Sequence, residues 1–226
     1  MNRGAIVQTR MTLTKLPGKV LMDLEGTPML VQQMWRLKRS ASLDEIVGPT
    51  TTNHTDEPVV AVIKSEDVGW FLGGEDNVLW RYVGAARETD SIVVVRNTLD
   101  CPRIDPRSVD EPVKHDGKCD YGANGLQRSY PRGLDAKAFF IDVLARMNRF
   151  GRSAAACEHM THFLFDERRD LFVVRLVKDT EDNWDLRRTI DTADDFTMVC
   201  RFNADLRLGD HVGRTATSSR MPRSRA

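Results

Sequence analysis

Residues 91–95 read SIVVV, an unbroken apolar run with no polar alternation. A strand with one face in water alternates apolar and polar residues, so a continuous β-branched run belongs to a strand covered on both faces, as in a parallel sheet. The preceding sequence supplies the helices that such a sheet needs. Gly4 to Gln8 is a short apolar strand followed by a loop containing LPGK, and helical spacing resumes after Pro28 in MLVQQMWRLKR. Asp44 to Thr52 repeats the unit, with EIV running into the Thr-rich turn GPTTTN. Pro58 opens VVAVIK as a short helix, 68–72 reads as a third strand, and 76–87 carries a helical stripe of Val78, Leu79, Tyr82 and Ala86. This alternation predicts an α/β fold built on an open, mostly parallel sheet, with SIVVV as its central strand.

Beyond Asp100 the pattern loosens, because Pro102, Pro106, Pro112, Gly117, Gly122, Gly125 and Gly133 interrupt it. The spacing predicts loops and a small antiparallel excursion over 119–135, a helix over 136–147, another near 157–165, a strand over 171–177 and a last helix from Ala193. Pro112 is expected to break a helix after Asp105. Residues 1–208 read as a single domain, and 209–226 (GDHVGRTATSSRMPRSRA) as a disordered tail.

Lys+Arg and Asp+Glu are both 33, so no net field draws in a phosphate polymer and nucleic acid is not an expected partner. No apolar run reaches the length of a membrane span, and MNRGAIVQTR contains no signal-peptide core, so a cytoplasmic location is expected. The four cysteines are scattered without a CxxC pair and read as reduced thiols.

Chemistry concentrates in two places. Gln8-Thr9-Arg10 through Lys15-Leu16-Pro17-Gly18-Lys19 puts three cations and a glycine on the loop after the first strand, with Arg10 and Lys19 expected to be exposed. That arrangement suits a polyphosphate, and equally a solvated basic turn; it is not a GxxxxGK[ST] loop. Asp100 lies just past the C-terminal end of the central strand, where open α/β sheets place their ligands. Asp191 precedes the last helix. Each aspartate also suits a turn or a helix cap.

From Ala5 to about Asp205 the segments QTRMTLTKLPGKVLMDLEGTPML, TTTNHTDEP, GGEDNVLWRY, VVRNTLDCPRIDP, SYPRGLDAKAF, CEHMTHFLF and LRRTIDTADDF follow one another in a recognisable order. In that order and at nearly that spacing they resemble the cytidylyltransferases that include CMP-KDO synthetase and the SpsF-type spore-coat polysaccharide enzymes. The resemblance implies a nucleotide-diphospho-sugar transferase-like, Rossmann-like fold, CTP as the nucleotide and Mg²⁺ as the metal. By motif position Arg10 and Lys19 hold the triphosphate and act in catalysis with Asp100. Gln8, Thr9, Lys15, Thr50, Thr51, Arg96 and Asn97 complete the nucleotide site, and Asp100 and Asp191 are the carboxylate ligands of magnesium. Arg81, Tyr130, Arg132, Asp135, Glu158, His159 and Arg187 fall on acceptor-side motifs.

The implied reaction is attack of an acceptor oxygen on the α-phosphorus of CTP with pyrophosphate leaving. The acceptor is a small anion, either a sugar acid of the KDO or sialic type or a small phosphonate or carboxyphosphonate. A catalytically silent nucleotide-binding relative is the reading from another class. The antiparallel excursion would cover the acceptor or join a homodimer, as in relatives. Three departures stand out: Lys15 where an Arg is usual, Thr12-Leu13 where Gly-Ser is common, and Leu99 where a Gly precedes the aspartate.

Overall fold

The computed structural model describes residues 1–12, 16–75, 77–114 and 119–205, so the predicted tail and Lys15 lie outside the described residues. Among them the strands are β1 (Arg3–Gln8), β2 (Glu45–Thr51), β3 (Gly69–Gly73), β4 (Val93–Thr98), β5 (Tyr121–Ala123), β6 (Lys137–Phe140) and β7 (Val174–Leu176). They form one sheet in the order β3-β2-β1-β4-β6-β5-β7, in which only β6 runs against the rest. The helices are α1 (Met29–Leu37), α2 (Glu57–Ser65), α3 (Val78–Glu88), α4 (Pro106–Val113), α5 (Ile141–Phe150), α6 (Ala154–Glu158) and α7 (Ala193–Asp205).

Alternate residues of the central strands feed two separate cores. Ala5, Val7, Val93 and Val95 pack with Met34, Leu37, Val109 and Val199, on the side of α1, α4 and α7. Ile6 and Val94 pack with Tyr82, Val83, Leu144 and Ala156, on the side of α3, α5 and α6. Both faces of β4 are therefore dry, as SIVVV requires, and each fully buried Val or Ile contributes about 1.5–3 kcal/mol to the fold.

Side chains at the helix starts answer the free N–H groups there. Asn77 accepts from Trp80 N at 2.8 Å, Asp105 from Arg107 N at 2.9 Å, and Ser153 from Ala156 N at 3.0 Å. Thr192 and Asp195 cap α7 reciprocally: Asp195 N donates to Thr192 Oγ1 at 3.1 Å and Thr192 N to Asp195 Oδ2 at 2.9 Å.

Three predicted elements differ. The helix expected near 157–165 is split, with α6 ending at Glu158 and a π-helical turn spanning Phe163–Glu167. The segment 137–140 is strand β6, not the start of a helix; α5 begins only at Ile141. KAFF alternates across the sheet, with Ala138 in one core and Phe139 in the other, and its pairing with β4 and β5 overrides its helical spacing. Pro112, in turn, does not stop α4, which runs on to Val113. A proline leaves the carbonyl four residues earlier without its helical donor. Here that carbonyl, Ser108 O, accepts instead from Asn124 Nδ2 at 3.2 Å. The same buried amide donates to Leu134 O at 2.8 Å and accepts from Ala136 N at 2.7 Å.

A second buried group fixes the strand ends. The Asp56 carboxylate accepts from Met11 N at 2.7 Å, Thr50 Oγ1 at 2.9 Å, Thr51 N at 3.2 Å and Thr51 Oγ1 at 2.6 Å. Burial pushes its pKa up, but these donors outweigh burial, and the net shift is downward.

Two predictions follow from these buried hubs. Asn124→Ala should lower the unfolding free energy by about 3 kcal/mol, because three buried backbone groups lose their partner; urea unfolding measures it. Asp56 has a folded pKa below its unfolded value of about 4, so its stabilisation is complete above that value and is lost as pH falls through the folded one. Asp56→Asn should therefore destabilise the protein at pH 7 by about 2 kcal/mol, with the two unfolding free energies converging in acid.

Candidate active site

Strands β1 and β4 are neighbours, yet the chain leaves β1 towards β2 and reaches β4 from β3. This reversal opens a crevice at their C-terminal ends, the ligand position of open α/β sheets. The last pair in the ladder is Gln8 opposite Thr98. Beyond it Thr9 is buried, its N and Oγ1 both bonded to Pro49 O, and Arg10 is half-buried with Nε buried and unpartnered.

The loop returns at Gly18, whose N donates to Met11 O at 3.0 Å. Gly18 has φ 71, a left-handed conformation natural to glycine, and starts the 3-10 turn Lys19–Leu21. Contrary to the sequence expectation, Lys19 is not exposed: it retains 5% of its surface. Its Nζ donates to Ile190 O at 2.8 Å and stands 3.9 Å from Asp191 Oδ1. Ile190 N in turn donates to Asp100 O at 2.9 Å. One backbone bond thus brings Asp100, Asp191 and Lys19 to the same point, although they lie up to 172 positions apart.

Asp191 is held from behind. Arg187 Nη2 reaches Asp191 Oδ2 at 3.2 Å and Asp195 Oδ2 at 2.9 Å, while Asp191 N donates to Asp195 Oδ2 at 3.0 Å. Asp195 escaped the sequence reading; its three-residue spacing from Thr192 was the available signal. Among the described residues no group of three His, Cys, Asp or Glu gathers for a metal.

The other candidates divide. Thr50 and Thr51 lie at the strand end, but both are buried and their hydroxyls serve Asp56. Asn97 is 1% exposed; its Nδ2 donates to Asp135 O at 3.3 Å and its Oδ1 is unpartnered. Arg81 is fully buried, donating Nη1 to Gly74 O and to Glu75 O, with Nε and Nη2 unpartnered. Burial and then Arg10 push its pKa down.

On the acceptor side, Arg132 and Arg187 meet in a parallel bridge, closed by Arg132 N to Leu186 O at 2.9 Å and Arg188 N to Arg132 O at 2.7 Å. Gly133, at φ 98, passes so close that a Cβ would stand 2.7 Å from the Arg188 carbonyl carbon. Asp135 pairs with Arg128 at 3.2 Å. Tyr130 faces Asp179, Glu111 and Asp105, which with burial raise its pKa, a setting unsuited to an anion. His159 is exposed at the end of α6 and no described hydrogen bond links it to Lys19, Asp100 or Asp191; the Glu158 side chain lies outside the described residues. Lys137, absent from the sequence candidates, faces Arg96 directly across β6 and β4.

The family profile described as Cytidylyltransferase matches residues 4–122. The uncharacterized protein MJ1063 of Methanocaldococcus jannaschii is 30% identical over 197 residues, covering 85% of this chain and 79% of its own length. A cytidylyltransferase structure from Leptospira borgpetersenii superposes with a TM-score of 0.82 at 25% identity, over 96% of this chain and all of the other. CMP:2-keto-3-deoxy-manno-octonic acid synthetase, solved with CTP, shares the fold at TM-score 0.70 and 17% identity over 91% of this chain and all of its own. On the sequence match from Gly4 to Gly122 and a fold shared through nearly its whole length, this chain belongs to the cytidylyltransferase family of nucleotidyltransferases.

Proposed function

We propose that the protein transfers CMP from CTP to a small anionic acceptor of the sugar-acid type, releasing pyrophosphate. The observation that supports this reading is the Ile190 N to Asp100 O backbone bond, which ties the end of the central strand to the segment where Lys19 meets Ile190 O and Asp191. Carboxylate oxygens are hard ligands that suit Mg²⁺, whose remaining positions substrate phosphate and water commonly fill. Asp100 and Asp191 would hold it, and it would supply charge neutralisation at the reacting phosphate.

The chain's own groups do the rest. Arg10 and Lys19 offset the negative charge that grows on the leaving pyrophosphate, and they are already in place: Lys19 is tied to Ile190, and Gly18 fixes the turn that presents it. The acceptor oxygen forms a bond to the α-phosphorus as the bond to the bridging oxygen breaks. A phosphonate oxygen carries no proton at neutral pH, whereas a sugar-acid hydroxyl loses its proton to water as it bonds to phosphorus. Most of the barrier reduction then comes from positioning and charge neutralisation.

A phosphonate acceptor is the second reading, favoured by the cations that crowd the acceptor side, where Arg132 and Arg187 adjoin. The silent-binder reading rests on Leu99 and on Thr12-Leu13; Leu13 lies outside the described residues, and Leu99 is 4% exposed and packs in the core with Ile104 and Val109. Its side chain takes no space from a phosphate.

A pyrophosphate-release assay with the four nucleotides and a panel of sugar acids and phosphonates tests the reading. Turnover is expected with CTP and a divalent ion only; equal turnover with ATP or GTP would sink it. Asp100→Asn and Asp191→Asn should each lower kcat roughly 10²- to 10³-fold, as loss of a transition-state charge contact does. Metal-free CTP binding by calorimetry should change little in both. Arg10→Ala should reduce turnover with the melting temperature nearly unchanged, whereas Lys19→Ala should lower both, since its ammonium group is a buried tether.

A further inference from the structure

Arg96 and Lys137 are directly opposed in the antiparallel ladder of β4 and β6. Directly opposed side chains on one face stand about 4.5–5.5 Å apart at Cβ, and like charges there oppose folding. The face is shared: Arg96 alternates with Val94 and Lys137 with Phe139, both in the core beneath α3 and α5. Among the described residues neither cation forms an ion pair. Asp135, the nearest carboxylate on the approach to β6, is engaged by Arg128 at 3.2 Å and by Gly133 N at 3.4 Å.

Unused donors converge on the same place. Arg96 Nε is buried without a partner. The Tyr121 hydroxyl, on a fully buried side chain within the field of Arg96, also lacks a partner. Buried donors are almost always paired in a finished structure, so a group of them around two opposed cations describes a site complete only with an anion. Asp135 and Asp100 both lie within the field of Lys137, which puts the pair near the C-terminal end of the central strand.

We propose that Arg96 and Lys137 form an anion subsite that holds the charged group of the acceptor, a carboxylate or a phosphonate, with the Tyr121 hydroxyl as a further donor. This rests on the transferase reading above and adds a specificity-determining residue, Lys137, to it. The Lys137 pKa is lowered to about 8 by burial and then by Arg96, which Asp135 and Asp100 only partly offset.

The test uses the full chain with CTP and Mg²⁺ saturating, so that the triphosphate loop is filled, and titrates methylphosphonate or lactate while calorimetry reads the melting temperature. Both probes carry one anionic head, and whichever binds more tightly identifies the acceptor's class. Lys137→Gln should weaken that probe about tenfold, the worth of one charge-assisted hydrogen bond, and leave CTP affinity within about twofold. Lys137→Glu should pair with Arg96, raise the melting temperature of the unliganded protein and abolish the probe's effect. Unchanged probe affinity in both variants, or no probe effect on the wild type, overturns the subsite. A loss of CTP affinity equal to the loss of probe affinity overturns its assignment to the acceptor. If the wild type does not bind CTP, the transferase reading fails, while the titration without nucleotide still reports whether the two cations bind an anion.

Discussion

Strands β1 and β4 stay paired for six residues, from Arg3 and Val93 to Gln8 and Thr98, and then their chains part in opposite directions. Parting leaves backbone groups at the strand ends with no ladder partner, and each must find another or pay for burial without one. Thr9 N turns to Pro49 O, Met11 N to the Asp56 carboxylate, and Asp100 O to Ile190 N. The crevice walls are the set of answers to that one demand. The same bonds that close the fold tie the end of the central strand to the segment ahead of α7.

The parallel part of the sheet was legible because its signals are local. SIVVV, the Gly4–Gln8 run, and the Pro- and Asn-marked helix starts each identify their element within a few residues. The antiparallel part was not. KAFF carries neither enough length nor enough alternation to separate strand from helix, and what decides it is the company of β4 and β5, which no local window contains. Pro112 misled for a similar reason: the donor that replaces its missing N–H comes from Asn124, twelve residues on and in another strand's turn.

The site divides along the same line. Arg10, Lys19, Asp100 and Asp191 stand on motifs whose order alone suggested them, and the fold brings Lys19, Asp100 and Asp191 together. Asp56 and Lys137 escaped because their meaning lies in register and in hydrogen-bond count: Asp56 draws two threonine hydroxyls inward that a reading by sequence would turn towards a ligand. Lys137 is an ordinary lysine until the ladder sets it against Arg96.

The bond from Lys19 to Ile190 spans 171 positions. During synthesis the loop after β1 emerges early, and its lysine waits for Ile190 before it has this carbonyl to hold, since long-range closures are the slow and late ones in folding. The strands β1 to β4 are complete by Thr98, so a nascent chain can possess the parallel half of the sheet well before Ile190 and Asp191 exist. The Lys19 tether can therefore form only once Ile190 has been made, long after the strands of its own sheet are available to pair.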